Sequence, residues 1–364
     1  MFNLPTFVKN RRRYTAVLPP AGPAWAGSLM GSSITAAMLY LHDFHIAANI
    51  LLVLAATVAV IITVGWLVFR SPGFTPGVMP AWAMVSMGVV SLGSASSRIL
   101  GERGTATSAD HWVWWFLFGC CVFGGALGLV TCVLYLPLIL TGRAGSPSFT
   151  WGLPLVTPMV ASTAGMQVHS WLLTKDVSTG YTTFIFWLSC GAFALSILLA
   201  PAVFARVYYF YFGPHTRHAS PQNRLEPMAA PTTWIPIGVA GQSMASAQSL
   251  GQASGWMTAA ITYGFTMLII AIPIGLIALV VHYQAALRGI SYSPTWWAST
   301  FPVGTLCLGT HALSGSTGMP WLDSVSVFLL FVLLTHAGIA TTGGTIALVQ
   351  KVSRVLLRIT GGRR

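Results

Sequence analysis

The run IAANILLVLAATVAVIITVGWLVF, Ile46 to Phe69, decides the fold class. It carries no Asp, Glu, Lys or Arg, and it exceeds the roughly 20 apolar residues a helix needs to cross the hydrocarbon core. Nine more stretches read the same way: 22 to 42, 78 to 99, 112 to 141, 151 to 173, 180 to 205, 231 to 253, 257 to 287, 294 to 317 and 321 to 350. Of the 364 residues, 55% are apolar and 7% charged, against about 25% charged in a soluble domain. Lipid is therefore the solvent of this fold. Unpaired backbone groups are not tolerated in hydrocarbon, and runs this continuous exclude the alternating strands of a barrel. The expectation is an all-α integral membrane protein with a ten-helix transmembrane domain over 22–350. It is flanked by a basic cytoplasmic segment, 1–21, and a basic cytoplasmic tail, 351–364.

Charge sorting orients these spans, because Lys and Arg accumulate in cytoplasmic loops. With the N-terminus inside, ten crossings place 15 of the 18 basic residues on the cytoplasmic side, leaving Arg98, Arg103 and Lys175 outside. The acids sort the other way: Asp43, Glu102, Asp110, Asp176 and Asp323 fall outside and Glu226 inside. Both termini are expected in the cytoplasm, and the net charge of +12 reads as topology plus attraction to anionic lipid, with no nucleic-acid partner. The first span is too long for a cleaved signal and is expected to be retained. Cys120, Cys121, Cys132, Cys190 and Cys307 all fall within spans at no metal-binding spacing, and read as small packing residues.

The odd-numbered spans resemble one another. Each opens on Trp beside Pro or Gly and then turns rich in small residues: Pro23-Ala24-Trp25, Pro80-Ala81-Trp82, Trp151-Gly152-Leu153-Pro154, Trp234-Ile235-Pro236 and Pro294-Thr295-Trp296-Trp297. The even spans are bulkier and more aliphatic. The unit is a helical hairpin used five times in one orientation. Equal units side by side close into a ring, with the slim helices inside, where small residues allow close approach, and the greasy ones facing lipid.

Pro294-Thr295-Trp296-Trp297-Ala298-Ser299-Thr300-Phe301-Pro302 resembles the Trp-Trp-Ala-x-x-Phe-Pro element of the tellurite-resistance and dicarboxylate transporter family. That family includes TehA-like bacterial members, fungal malate and sulfite permeases and plant slow-type anion channels. Gly22-Pro23-Ala24-Trp25 through Gly31, and Thr157-Pro158 through Gly165-Met166, are similar to it as well. The resemblance implies five hairpins around a central pore, a homotrimer of separately conducting subunits in the plasma membrane, and an aromatic gate at Phe301. It also implies odd helices kinked at Pro, for which Pro158, Pro236 and Pro302 are the candidates.

The residues themselves give Phe301 a similar meaning. A bulky ring flanked by Ser299, Thr300 and Gly304 on a slim helix can close a pore by excluding water; packing between helices is the competing reading. Met30 and Met87 stand five residues after Trp25 and Trp82, the spacing of Phe301 from Trp296, and are candidates for the same constriction. Hydroxyl and amide candidates for the pore wall are Ser33, Thr157, Gln242, Ser246, Thr300 and Thr305, with Thr35, Ser86, Ser91, Ser162, Ser243 and Gln248 beside them. Each could instead bond a helix backbone. His42, His169 and His311 lie towards the outer ends of odd spans, where they could present partial positive charge to an anion. Leu41-His42-Asp43-Phe44-His45 offers too few ligands for a metal, and neither metal nor cofactor is expected.

No acid or base falls near the centre of any span. That disfavours a carboxylate-coupled pump, a voltage sensor built on an arginine row and an intramembrane hydrolase, and no Gly-x-x-x-x-Gly-Lys loop is present to power transport with ATP. The reading is a channel or facilitative transporter for small inorganic or organic anions. A proton-coupled C4-dicarboxylate (malate) carrier or a sulfite exporter is the alternative, and a membrane-embedded enzyme would need a polar cluster that the spans lack.

Overall fold

A computed structural model of the chain describes residues 18–101, 111–175, 178–214 and 225–361. Lys9, Arg11, Arg12, Arg13, Glu102, Arg103, Asp110, Asp176, Arg217, Arg224, Arg363 and Arg364, which enter the charge sorting, lie outside the described residues. Ten long α-helices follow one another, with no strand among the described residues. They are α1 (Ala26–Leu41), α2 (His45–Phe69), α3 (Met79–Gly101), α4 (His111–Leu140), α5 (Gly152–Leu173), α6 (Thr179–Phe212), α7 (Ile235–Ser254), α8 (Met257–Leu287), α9 (Thr300–Thr317) and α10 (Pro320–Gly361). Six of them, α2, α3, α4, α6, α8 and α10, are long and apolar enough to cross a membrane on length and composition. α10 runs on through 351–361, so this part of the basic C-terminal segment prolongs the last helix.

The odd helices begin later than the apolar runs suggest, because each is entered through a tight 3₁₀ turn: Pro23–Trp25, Pro76–Val78, Phe149–Trp151, Pro227–Trp234 and Pro294–Ser299. In four of these turns Pro occupies one of the first two positions, where its missing N–H costs nothing and its fixed φ favours helix entry. This corrects the kinks expected at Pro236 and Pro302. Pro236 stands at the N-terminus of α7 and Pro302 in the first turn of α9, and of the three only Pro158 lies inside its helix. The opening Trp residues anchor these entries by donating from Nε1 to loop carbonyls: Trp25 to Pro19 (3.2 Å), Trp82 to Gly73 (3.0 Å) and Trp296 to Ser291 (3.2 Å). At the same end of the molecule the Arg70 and Arg206 guanidinium groups lie over the Trp66 and Trp151 rings, 4.9 and 5.7 Å from their centroids.

α1 packs on α3, α3 on α5, α5 on α7, α7 on α9, and α9 returns to α1, so the odd helices form a closed circuit. Each also packs on the even helix that follows it. Burial follows this arrangement. On α7 every residue from Ile235 to Gln248 is buried, whereas α2 exposes Ile46, Val53 and Val68 and α8 exposes Ile269 and Leu276. Glycine makes the tightest joints. Gly241 of α7 lies against the backbone of Thr305 and Leu306 of α9, while Gly309 of α9 lies against the Gly241 carbonyl. A Cβ at either position would collide with backbone, which cannot move aside.

Candidate functional site

The circuit encloses two cavities, lined at successive levels by the same helix faces. The wide one, about 520 Å³, lies at the N-terminal ends of the odd helices. The narrow one, about 20 Å³, lies beyond it, which is room for about one water. Each odd helix contributes a stripe at the three- and four-residue spacing that places side chains on one helix face. On α3 the stripe is Met84 and Met87 in the wide cavity, then Ser91, Ser94 and Arg98 in the narrow one. On α1 it is Gly27 and Met30, then Ile34 and Ala37; on α5, Leu153 and Val156, then Val160 and Thr163; on α7, Ile235 and Gly238, then Gln242.

Phe301 of α9 lines both cavities and is 5% exposed. The partition is braced from several sides. Gly304 meets Ile34 of α1, and Gly238 of α7 meets Pro302. Trp297, one turn earlier, lies against Gly31 of α1 and donates from Nε1 to the Tyr292 hydroxyl at 3.3 Å. Burial pushes the Tyr292 phenol above its ordinary pKa, with the Trp297 N–H pulling the other way, so it stays neutral at physiological pH.

The two cavities differ in chemistry. The wide one is walled mainly by Met, Leu, Val, Ile, Ala and Pro, with Thr150, Thr232, Ser293, Thr295 and Glu226 among the polar residues lining it. The narrow one gathers Ser91, Ser94, Thr163, Gln242 and Arg98. Gln242 Nε2 donates to Thr163 Oγ1 at 2.7 Å. With the Gln167 amide oriented to satisfy its neighbours, its oxygen accepts from Arg98 Nε at 2.7 Å and Nη2 at 2.5 Å, and its nitrogen donates to Ser94 Oγ at 2.7 Å. The guanidinium is thus held by neutral dipoles beside the narrow cavity.

Of the pore-wall candidates, Met30, Met87, Ser91, Gln242 and Phe301 line these cavities, and Thr35, Ser86, Ser162, Ser243 and Gln248 do not. Ser33, Thr157, Ser246, Thr300 and Thr305 line neither. Thr157, Thr300 and Thr305 donate to the carbonyls of Leu153, Trp297 and Pro302, in their own preceding turns. Thr157 packs on Gly128 of α4, and Ser246 joins α7 to α5 through Ser162 Oγ at 2.7 Å. Ser33 is fully buried without a hydrogen-bond partner. His169 faces a lateral groove between α6, α7 and α8, beside Phe186. His42 and His311 come together, their ring centroids 5.2 Å apart.

The sequence reading missed Arg98 as a cavity residue. The signal was present in the unbroken stripe Met84, Met87, Ser91, Ser94, Arg98. The profile of the family described as SLAC1, voltage-dependent anion channel, matches residues 21–346, which takes in every helix of the circuit. The chain belongs to this family. No curated protein matches the chain. Membership of the SLAC1 family makes the chain a multi-pass membrane protein of an anion channel and transporter family, and the cavities on either side of Phe301 are where its site is sought.

Proposed function

We propose that the chain is an anion channel or facilitative anion transporter whose pathway runs through the circuit of odd helices and is closed at Phe301. In this reading all ten helices cross the bilayer as five hairpins, with both termini cytoplasmic, and the wide cavity is the cytoplasmic vestibule. The observation that carries it is that one aromatic side chain is common to both cavities. An ion passing between them must displace that ring. Returning a buried Phe side chain to water costs about 1.5–3 kcal/mol, enough to hold a closed pathway without a charged latch. Beyond the ring, Arg98, Gln242 and the hydroxyls of Ser91 and Thr163 can replace part of an anion's water shell.

A proton-coupled carrier is less well served. Among the described residues, Glu226 is the one acid lining either cavity, and it is exposed at the mouth. The decisive experiment is halide flux in proteoliposomes. Phe301→Ala is expected to raise flux, and a folded Phe301→Ala protein with unchanged flux removes the gate. The homotrimer implied by the family resemblance is tested by cross-linking in native membranes.

A further inference from the structure

We propose a second site, away from Phe301: a binding site for a zinc-class divalent metal ion formed by His42, His311 and Asp323. The three residues come from distant parts of the chain. His42 caps α1, His311 lies on α9 and Asp323 in the first turn of α10. Their candidate ligand atoms all lie within 4.8 Å of one another, and His311 Nδ1 stands 3.5 Å from Asp323 Oδ1. Ligands 2.0–2.1 Å from a tetrahedral ion are about 3.4 Å apart, so this edge is already at bonding separation and the third ligand needs only a small inward shift.

Protonation favours a metal as well. His42 Nδ1 stands 2.9 Å from the Met38 carbonyl, a contact that requires the proton on Nδ1 and leaves Nε2 with its lone pair. A backbone carbonyl on the far nitrogen is the usual outer support of a metal-bound imidazole. Nε2 is 3.0 Å from Ser326 Oγ, which is also 3.0 Å from the Cys307 carbonyl and can give its single proton to it. When a metal takes the His42 lone pair, that proton stays with Cys307 and no donor is stranded. His311 Nδ1 is buried and makes no hydrogen bond of good geometry, its ion-pair contact with Asp323 Oδ1 being long at 3.5 Å, and a weakly satisfied buried ring nitrogen calls for an explanation. A metal bond to its lone pair supplies one.

Two imidazoles and one carboxylate suit zinc, copper or nickel, and not calcium or magnesium, which prefer oxygen ligands. Three protein ligands leave the fourth position to water or an anion. The side chains of Asp323 and His311 are 54% and 33% exposed, which gives the ion a path from water. Asp43 and His45, 3.7 Å apart and exposed, form a separate pair and are not ligands. Arg98, hydrogen-bonded to the neutral Gln167 amide, keeps its charge and acts electrostatically on His311, and the Asp323 carboxylate is the group that offsets the incoming ion. Bound metal would pin α1 to α9 and α10 at the outer end of the molecule.

Titration of the purified full-length protein with Co²⁺, displaced by Zn²⁺, reads the site through visible absorption, and equilibrium dialysis reads stoichiometry. One Zn²⁺ per chain is expected. Asp323→Asn and His311→Gln should each weaken binding by at least about tenfold, with metal-free thermal unfolding retained, and His45→Gln should change nothing. Stoichiometry below one, affinity unaltered by both ligand substitutions, or an equal loss in His45→Gln overturns the site. Asp323 is exposed, so its substitution spares the fold if His311→Gln does not. Because the readout is binding, its failure is separate from any failure of the conduction reading.

Discussion

The wide and narrow cavities on either side of Phe301 are walled by the same five helices, yet one holds about 520 Å³ and the other about 20 Å³. The difference separates two tasks. The wide cavity can hold an ion with its water, so mostly apolar walls suffice there. The narrow one has room for about one water, so any ion within it must exchange water for protein dipoles, and there the wall supplies Arg98, Gln242, Ser91 and Thr163. In the proposed reading, control of passage belongs to the ring between them, and choice among ions to the narrow side.

Removing the ring tests that division most severely. Phe301→Ala should raise halide flux by at least about tenfold, equivalent to about 1.4 kcal/mol off the barrier, while preference for anions over cations persists. Loss of that preference would place selectivity at the ring itself. Arg98→Ala should lower anion flux by about tenfold, since a charge pair at 4 Å is worth several kcal/mol even in a polarisable interior. Its bi-ionic reversal potential should also move toward cations; an unmoved potential would make Arg98 merely a partner for Gln167. Gln242→Leu removes one amide dipole and should lower flux by about threefold, within the 0.5–1.5 kcal/mol of a single hydrogen bond. Glu226→Gln, at the exposed mouth of the wide cavity, should change flux by less than about twofold and lose even that at high salt. A large, salt-insensitive response there would mean that the wide cavity also selects.

Much of this was legible in the sequence, for reasons that differ by element. Ile46 to Phe69 announces itself because lipid is its solvent: Ile46, Val53 and Val68 face outward. α1, α5, α7 and α9 fall short of the length and composition that mark a span, and their polar residues Ser32, Thr35, Ser162, Gln242 and Ser246 are buried by neighbouring helices. They were read as spans from their long, mostly apolar stretches, and their repeated Trp openings grouped them. Phe301 was legible from its slim flanks and from the family resemblance. Thr157, Thr300 and Thr305 were not, because a hydroxyl that bonds its own preceding turn looks the same in sequence as one that faces a pore. Arg98 was counted only as an outside charge in the topology, when its spacing from Met87 and Ser91 put it on the cavity stripe. His42, His311 and Asp323 lie too far apart in the chain for any local motif to join them.

Gly31 of α1 packs directly on Trp297, in the turn that enters α9, and on Thr300 of α9, and this joint is where the circuit of helices closes. It links the beginning of the chain to a segment near its end, so during synthesis the enclosure waits for the last hairpin. Until α9 arrives, α1 has only one of its two odd-helix neighbours and the polar stripe of α3 stands open along one side. Before α9 joins, the circuit is an open crescent, and a bulky substitution at Gly31 is expected to hold the chain in that form, visible as aggregation or turnover of full-length protein.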